Sequence, residues 1–187
     1  AAINPLYYNP AVRYRPWLLA DGTRRPAYPA TAAVINVNAP TQTVNLTVDA
    51  TRNINWCTSL TNCAQDVETF YPAVYYNLTS GTGTAVGDFT RVQIRDGATY
   101  PRAAARTDCV SASNSCSYAE EIQNFSNWFT YARSRMRVAI GGTSEAFSAV
   151  PSSFRVGFGT INSPAADIDG VSTKTLRQGV RPFTGND

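Results

Sequence analysis

The period of the apolar residues changes once along this chain, at Ser117, and that change limits the fold more than any single motif. Before it the pattern has period two. Ala33, Ile35 and Val37 alternate with Val34, Asn36 and Asn38, and Val44, Leu46 and Val48 with Asn45, Thr47 and Asp49. Val74, Tyr76 and Leu78 form a third set; Val92 and Ile94, between Arg91, Gln93 and Arg95, form a fourth. Alternation of this kind predicts half-buried, antiparallel strands. Gly81, Gly83 and Gly87 mark a loop that makes a hairpin of the third and fourth. After Ser117 the steps become three and four. Ser117-Tyr118-Ala119-Glu120 fits a capping box, in which the serine caps an early N–H and the glutamate reaches back. Tyr118, Ile122, Phe125, Phe129, Ala132, Met136 and Ala139 then form one stripe, ended by Gly141-Gly142.

The stripe predicts a long amphipathic helix with Ile122, Phe125, Trp128, Phe129 and Met136 in the core. A helical turn follows at Ser144–Ala149 and halts before Pro151. Phe154 to Asn162 reads as a buried strand with close backbone approach at its glycines. Helix followed by buried strand is half of a βαβ unit. Beyond Asn162 no periodicity is visible. The expected fold is therefore α+β, with a β-rich module over residues 1–116 and an α/β segment over 117–187.

The β-rich module begins with an arm. Asn4-Pro5-Leu6-Tyr7-Tyr8-Asn9-Pro10 and Arg13-Tyr14-Arg15-Pro16-Trp17 are too rich in proline for a helix or a central strand. The arm should lie extended on a surface. Packing is its first expected role, because Tyr and Trp bury large areas. A contact surface for a glycan or a partner, using Tyr7, Tyr8, Tyr14 and Trp17, is the second. Asp21-Gly22 reads as a turn.

Four cysteines stand in two close pairs, Cys57 with Cys63 and Cys109 with Cys116. Three connectivities are open to them. The polar, turn-forming residues between the members of each pair favour Cys57–Cys63 and Cys109–Cys116. A four-thiolate zinc site is the rival reading, with spacings wider than zinc knuckles use. An even cysteine count in a Thr/Asn/Ser-rich chain points to an oxidising compartment, and any signal peptide is expected to have been removed. Asn45-Leu-Thr47 and Asn77-Leu-Thr79 match the glycosylation acceptor pattern, a weak signal in so Asn/Thr-rich a chain.

Composition narrows the function. Of 187 residues, 43% are apolar and 16% charged, enough for a core and too few charges for disorder. No apolar run approaches the length of a membrane span. The net charge of +3 is too small, and its arginines too scattered, to imply nucleic acid. Histidine is absent. That removes Ser-His-Asp and Cys-His nucleophile systems and most zinc and haem sites. Lys174 is the one lysine, and no carboxylate pair has a recognisable spacing. An enzyme is not expected, nor a cofactor.

Several blocks carry a resemblance. Glu121-Ile122-Gln123-Asn124-Phe125-Ser126-Asn127-Trp128-Phe129-Thr130-Tyr131 with Arg133-Ser134-Arg135-Met136, Tyr8-Asn9-Pro10, Tyr14-Arg15-Pro16-Trp17, Phe70-Tyr71-Pro72-Ala73, Phe154-Arg155-Val156-Gly157-Phe158 and Gly179-Val180-Arg181-Pro182-Phe183 resemble, in order, the PilC/PilY family of type IV pilus tip-associated adhesins. The resemblance implies a piece of a large secreted protein with a von Willebrand factor A-like N-terminal region and a C-terminal β-propeller. This chain looks like the insertion before the first helix of that region, plus the helix and its next strand. The metal motif Asp-x-Ser-x-Ser does not occur here, and the propeller's calcium loop is not among these residues. Thr184 is where a metal-site threonine would fall. Asp167-Ile168-Asp169-Gly170 lacks the third carboxylate and closing Glu of a calcium loop and reads as a turn.

The implied role is adhesion or pilus biogenesis at the cell surface. The implied partners are other pilus or surface proteins, a glycan or a host surface. The alternative is a structural subunit of an extracellular filament. There the strand bearing Val156, Phe158 and Ile161, lacking its βαβ neighbour, would pair with another copy or accept its arm.

Overall fold

A computed structural model describes residues 7–19, 21–161 and 164–183. The elements, in chain order, are β1 (Ala33–Val34), β2 (Thr43–Val44), β3 (Ala50–Cys57), β4 (Cys63–Phe70), β5 (Val74–Leu78), β6 (Phe89–Gln93), β7 (Thr99–Pro101), β8 (Ser115–Ser117), α1 (Tyr118–Tyr131), α2 (Arg135–Ser148), β9 (Arg155–Gly159), β10 (Ala166–Ile168), β11 (Val171–Thr173) and β12 (Leu176–Pro182). The described strands form antiparallel pairs: β1–β2, β3–β4, β5–β6, β7–β8, β9–β12 and β10–β11. The fold is α+β.

The chain divides into two compact units, residues 1–16 with 26–139 and residues 17–25 with 140–187. This differs from a boundary at Cys116, because α1 packs on β1, β7 and β8. In the first unit Leu46, Tyr71, Tyr75, Ile94, Tyr100, Ile122 and Phe125 form the core with the Cys109–Cys116 disulfide. Trp128 and Phe129 pack on it, half-buried. The capping box starts α1 as expected: Ser117 Oγ accepts from the Glu120 N–H, and the Glu120 carboxylate accepts from the Ser117 N–H at 2.7 Å.

In the first unit the described part of the arm packs through Tyr8 and Tyr14, while Tyr7, Asn9, Val12, Arg13 and Arg15 stay exposed. Prolines remove N–H donors and keep the arm out of any ladder, so its carbonyls need other partners. The polar side of α1 supplies them. Asn124 Nδ2 donates to the Val12 carbonyl at 2.9 Å, and Asn124 Oδ1 accepts from the Tyr14 N–H at 2.7 Å. Asn127 donates to the Tyr14 carbonyl, Ser126 to that of Tyr28, and Tyr131 to that of Pro26.

Four expectations need correction. The stripe is not one helix. It breaks at residues 132–134, where Arg137 Nη1 takes the Phe129 carbonyl at 2.8 Å and so caps the end of α1. Met136, in α2, is 71% exposed and outside the core. Gly141-Gly142 do not stop α2, which runs on to Ser148. In the second unit a Cβ on Gly141 would lie 3.0 Å from the Trp17 indole, so close approach, not termination, explains that glycine.

The strand β9 is neither buried nor half of a βαβ unit. It pairs antiparallel with β12, with Val156 opposite Arg181 and Phe158 opposite Gln178. Phe158 is exposed, and Ile161 lies beyond the strand, 89% exposed. Close approach at the glycines does hold: Gly157 faces Val180 and Gly159 the Thr175 carbonyl. Third, the tail after residue 162 contains three strands: β10 and β11 are three residues each, and the register of β12 against β9 shifts twice, which hides a period. Asp169 (φ 57°) and Gly170 (φ 81°) form the two-residue turn between β10 and β11.

The fourth correction concerns which face is inside. β5 and β6 do form the expected hairpin, Val74 opposite Gln93 through Leu78 opposite Phe89. Yet Tyr76 and Leu78 point outward, and the buried residue is Tyr75. Its ring packs 5.6 Å from that of Tyr8, so the docked arm decides which face of the hairpin is covered.

Candidate interaction surface

The members of the arm have different fates. Tyr7 is 67% exposed, Tyr14 is half-buried, and Tyr8 and Trp17 are buried. Tyr8 and Trp17 therefore cannot form a displayed binding surface. Tyr8 packs against Phe125 at 5.0 Å and Trp128 at 5.8 Å. Its hydroxyl donates to Glu121 Oε1 at 2.7 Å and accepts from Asn124 at 3.0 Å. Arg106, fully buried, donates to Glu121 Oε2 at 2.5 Å, to Asp108 at 3.0 Å and to the Pro10 carbonyl at 2.8 Å. Burial, then the Glu121 charge, pushes the Tyr8 phenol up. Burial also lifts the Glu121 carboxyl, against the hydrogen bonds from Arg106 and Tyr8. This network holds the arm, with Tyr8, Arg106, Glu121 and Asn124 buried and Asp108 at its partly exposed edge.

What the first unit does display is the β3–β4 ribbon. Every residue from Thr51 to Phe70 is exposed. The register runs unshifted from Ala50 opposite Phe70 to Cys57 opposite Cys63, and the Cys57–Cys63 disulfide closes the tip. Paired residues share a face, and alternate pairs point to opposite faces. One face carries Phe70, Ile54 and Trp56 with Arg52, Glu68 and Asp66. The other carries Thr51 and Thr69, Asn53 and Val67, Asn55 and Gln65, and the disulfide. Trp56 Nε1 donates to Asp66 Oδ2 at 2.8 Å, which fixes the indole on the apolar face. On the polar face Thr51 bonds Thr69 and Gln65 donates to Asn55. A two-stranded ribbon buries little of its own, and Ile54, Trp56 and Phe70 stand exposed on one face of it. Sequence reading reached only the cysteines at its tip and Phe70 at its base. The alternation of Ile54 and Trp56 with Asn53 and Asn55 was the available signal.

The second unit holds a polar cleft of about 410 Å³ lined by Asp167, Ile168, Asp169, Arg177, Gln178 and Arg181. Arg181 and Asp169 close an ion pair across it at 2.5 Å, and Arg177 is held by the Pro164 carbonyl. In the first unit, Arg133 and Arg137 both donate to the Ile35 carbonyl. Burial and the neighbouring Arg137 pull Arg133 down to about 10. Among the described residues no three His, Cys, Asp or Glu side chains group as metal ligands, and no helix is long and apolar enough to cross a membrane. Both cysteine pairs are disulfides, which replaces the zinc reading. Thr184 lies outside the described residues, as do Asn4, Pro5, Leu6 and Asn162.

No protein-family model and no solved structure matches the chain. It is similar to the type IV pilus biogenesis factor PilY1 of Pseudomonas aeruginosa strain PAK, with 25% identity over 196 residues. The match takes in 97% of this chain and 15% of PilY1. The chain thus spans a small part of that relative.

Proposed function

We propose that this chain is a contact module of an extracellular, type IV pilus-associated protein, working in pilus biogenesis or surface attachment by binding rather than catalysis. The observation that carries this is the similarity to PilY1 along 97% of the chain. The two disulfides suit an oxidising compartment. The exposed Phe70, Ile54 and Trp56 offer the aromatic and aliphatic anchors that protein contacts use. The absence of histidine, and the commitment of Glu121 and Arg106 to one another, favour binding over acid–base chemistry. The finer placement is the N-terminal, von Willebrand factor A-like region of such proteins. Its support is the order of the sequence blocks, and the antiparallel β9–β12 pair adds nothing to it.

The test is co-sedimentation of the purified chain with sheared type IV pili from its own organism. The chain should pellet with pili and stay soluble without them, and a Trp56→Ser/Phe70→Ser variant should lose binding while keeping its fold. Failure of the wild-type chain to pellet with pili overturns the reading.

A further inference from the structure

The outer edge of β3 has no paired strand among the described residues; the inference rests on the ribbon being a contact surface. The Thr58 N–H donates to the Asn62 carbonyl at 2.9 Å, and Cys57 and Cys63 lie 4.0 Å apart at Cα. The first marks a hydrogen-bonded pair and the second its non-hydrogen-bonded neighbour. Alternation along an unshifted register then gives the rest. Arg52, Ile54 and Trp56 bond to β4, while Thr51, Asn53, Asn55 and Cys57 turn their N–H and C=O groups away from it. Among the described residues no strand pairs with that edge. Such an edge is a template for another strand.

We propose that two copies of this chain pair through it, β3 antiparallel to β3, about a two-fold axis that passes between the two Ile54 residues. A two-fold normal to a sheet returns each face to itself, so one residue must lie opposite its own copy. Centred on Arg52, two guanidiniums would oppose each other. Centred on Asn53, Arg52 would sit against Ile54 of the second copy. Centred on Asn55, Ile54 would meet Trp56, but Arg52 and Thr51 would fall opposite Thr58 and Ser59, beyond the end of the strand. Centred on Ile54, the whole stretch from Thr51 to Cys57 is paired. Ile54 meets Ile54. Arg52 lies beside Trp56 of the second copy, twice, with the indole held by Asp66 for a cation–π contact. Asn53 and Asn55 of opposite copies exchange the outward backbone bonds. The close, non-hydrogen-bonded sites fall on the isoleucine and Arg–Trp pairs, where side chains touch best.

The β4 edge is poorly suited to the same pairing, since centred on Gln65 the ladder runs past Cys63 into the turn. Centred on Asp66, Val67 or Glu68, it sets carboxylates opposite one another. Its acidic side chains also guard the outer edges of the four-stranded sheet that β3 pairing makes. The assembly therefore closes as a dimer and does not grow into a fibre. Pairing also doubles the apolar face, bringing Ile54, Trp56 and Phe70 of both copies onto one side.

Sedimentation equilibrium of the full chain tests this. The wild type should move with concentration toward twice the 20.2 kDa monomer mass. Ile54→Lys, which faces its own charge across the axis, should be monomeric. So should Asn53→Pro, which removes an outward N–H and leaves the β4 ladder intact. Ile54→Cys should oxidise to a covalent dimer, because the two positions fall within disulfide reach; Leu60→Cys, at the ribbon tip, should not. The cysteine pair keeps the test alive where the lysine or proline variant fails to fold. A wild type monomeric up to its solubility limit overturns the proposal. So does a dimer untouched in Ile54→Lys and Asn53→Pro, or cross-linking at Leu60→Cys but not at Ile54→Cys. A monomer that still pellets with pili refutes the pairing alone, and a dimer that ignores pili refutes the pilus reading alone.

Discussion

Tyr8 and Glu121, 113 residues apart in sequence, share a buried hydrogen bond of 2.7 Å that ties the start of the described chain to helix α1. The bond is one side of a network in which Arg106 supplies the opposing charge. Removing the two partners should therefore have unequal effects. Tyr8→Phe deletes a hydroxyl that serves Glu121 and Asn124, and should cost about 1–2 kcal/mol. Glu121→Ala leaves the buried Arg106 with Asp108 as its remaining carboxylate, and should cost about 3–5 kcal/mol. Urea unfolding of both variants checks the order. Equal losses would mean that the guanidinium is not dependent on Glu121.

Glu120, one residue before this network, works at the surface and sets an acid limit. Its partial burial would raise its pKa, but hydrogen bonds from the Ser111 hydroxyl and from the Ser117, Val110 and Ser111 N–H groups outweigh that and hold it at about 2. A carboxyl depressed in the folded state contributes stability above its unfolded value, near 4.5, and loses it as pH falls toward the folded one. The wild-type Tm should therefore decline from about pH 5 to about pH 2. Glu120→Gln should lie below the wild type at pH 6, and the gap should narrow through that window. A gap that stays constant with pH would exclude the carboxylate as its source.

These two neighbours show how much was legible. The Ser117–Glu120 box was written in the sequence because capping is local, needing only the right types three residues apart. The close cysteine pairs and the β5–β6 hairpin were legible for the same reason. Glu121 and Asn124 were not, because an apolar stripe says nothing about what the polar side of a helix must satisfy. Their partners are Tyr8 and Arg106 and the backbone of a proline-rich arm. The inverted face of β5 has the same origin, since Tyr75 is covered by Tyr8 and alternation alone cannot tell which side a distant segment will cover. The break after Tyr131 is capped by Arg137 reaching back to the Phe129 carbonyl, a contact that a stripe of regular period conceals. The β3–β4 ribbon was missed because a fully exposed strand has no buried face to impose a strong pattern.

The two disulfides should separate by access. Cys109 and Cys116 are wholly buried, whereas Cys57 and Cys63 sit on the exposed ribbon. Mild reduction of the folded chain, followed by alkylation and peptide mass spectrometry, should label Cys57 and Cys63 first. Cys57→Ser/Cys63→Ser should loosen the ribbon by about 2 kcal/mol, the entropy of so short a closed loop, with the near-ultraviolet spectrum of the core unchanged. Cys109→Ser/Cys116→Ser should alter that spectrum, because it removes packing from the core as well. Labelling of the buried pair at the same rate would show that the first unit opens globally under native conditions.

Asp88 organises the loop between β5 and β6, where its Oδ2 accepts from the N–H groups of Gly83, Thr84 and Ala85 at 3.0, 3.2 and 3.2 Å. Asp88→Ala should cost about 1–2 kcal/mol and speed hydrogen exchange at those amides, leaving the β5–β6 ladder protected. Gly81 faces the same carboxylate. Its φ is 62°, and a Cβ there would lie 2.3 Å from Asp88 Oδ1. Gly81→Ala therefore carries two penalties, the left-handed backbone, worth about 1–2 kcal/mol, and the collision. Only the second depends on Asp88. In a double-mutant cycle, Gly81→Ala should be less harmful in the Asp88→Ala background than in the wild type, the difference being the collision alone. Strict additivity would mean that the carboxylate moves aside freely and does not hold the loop.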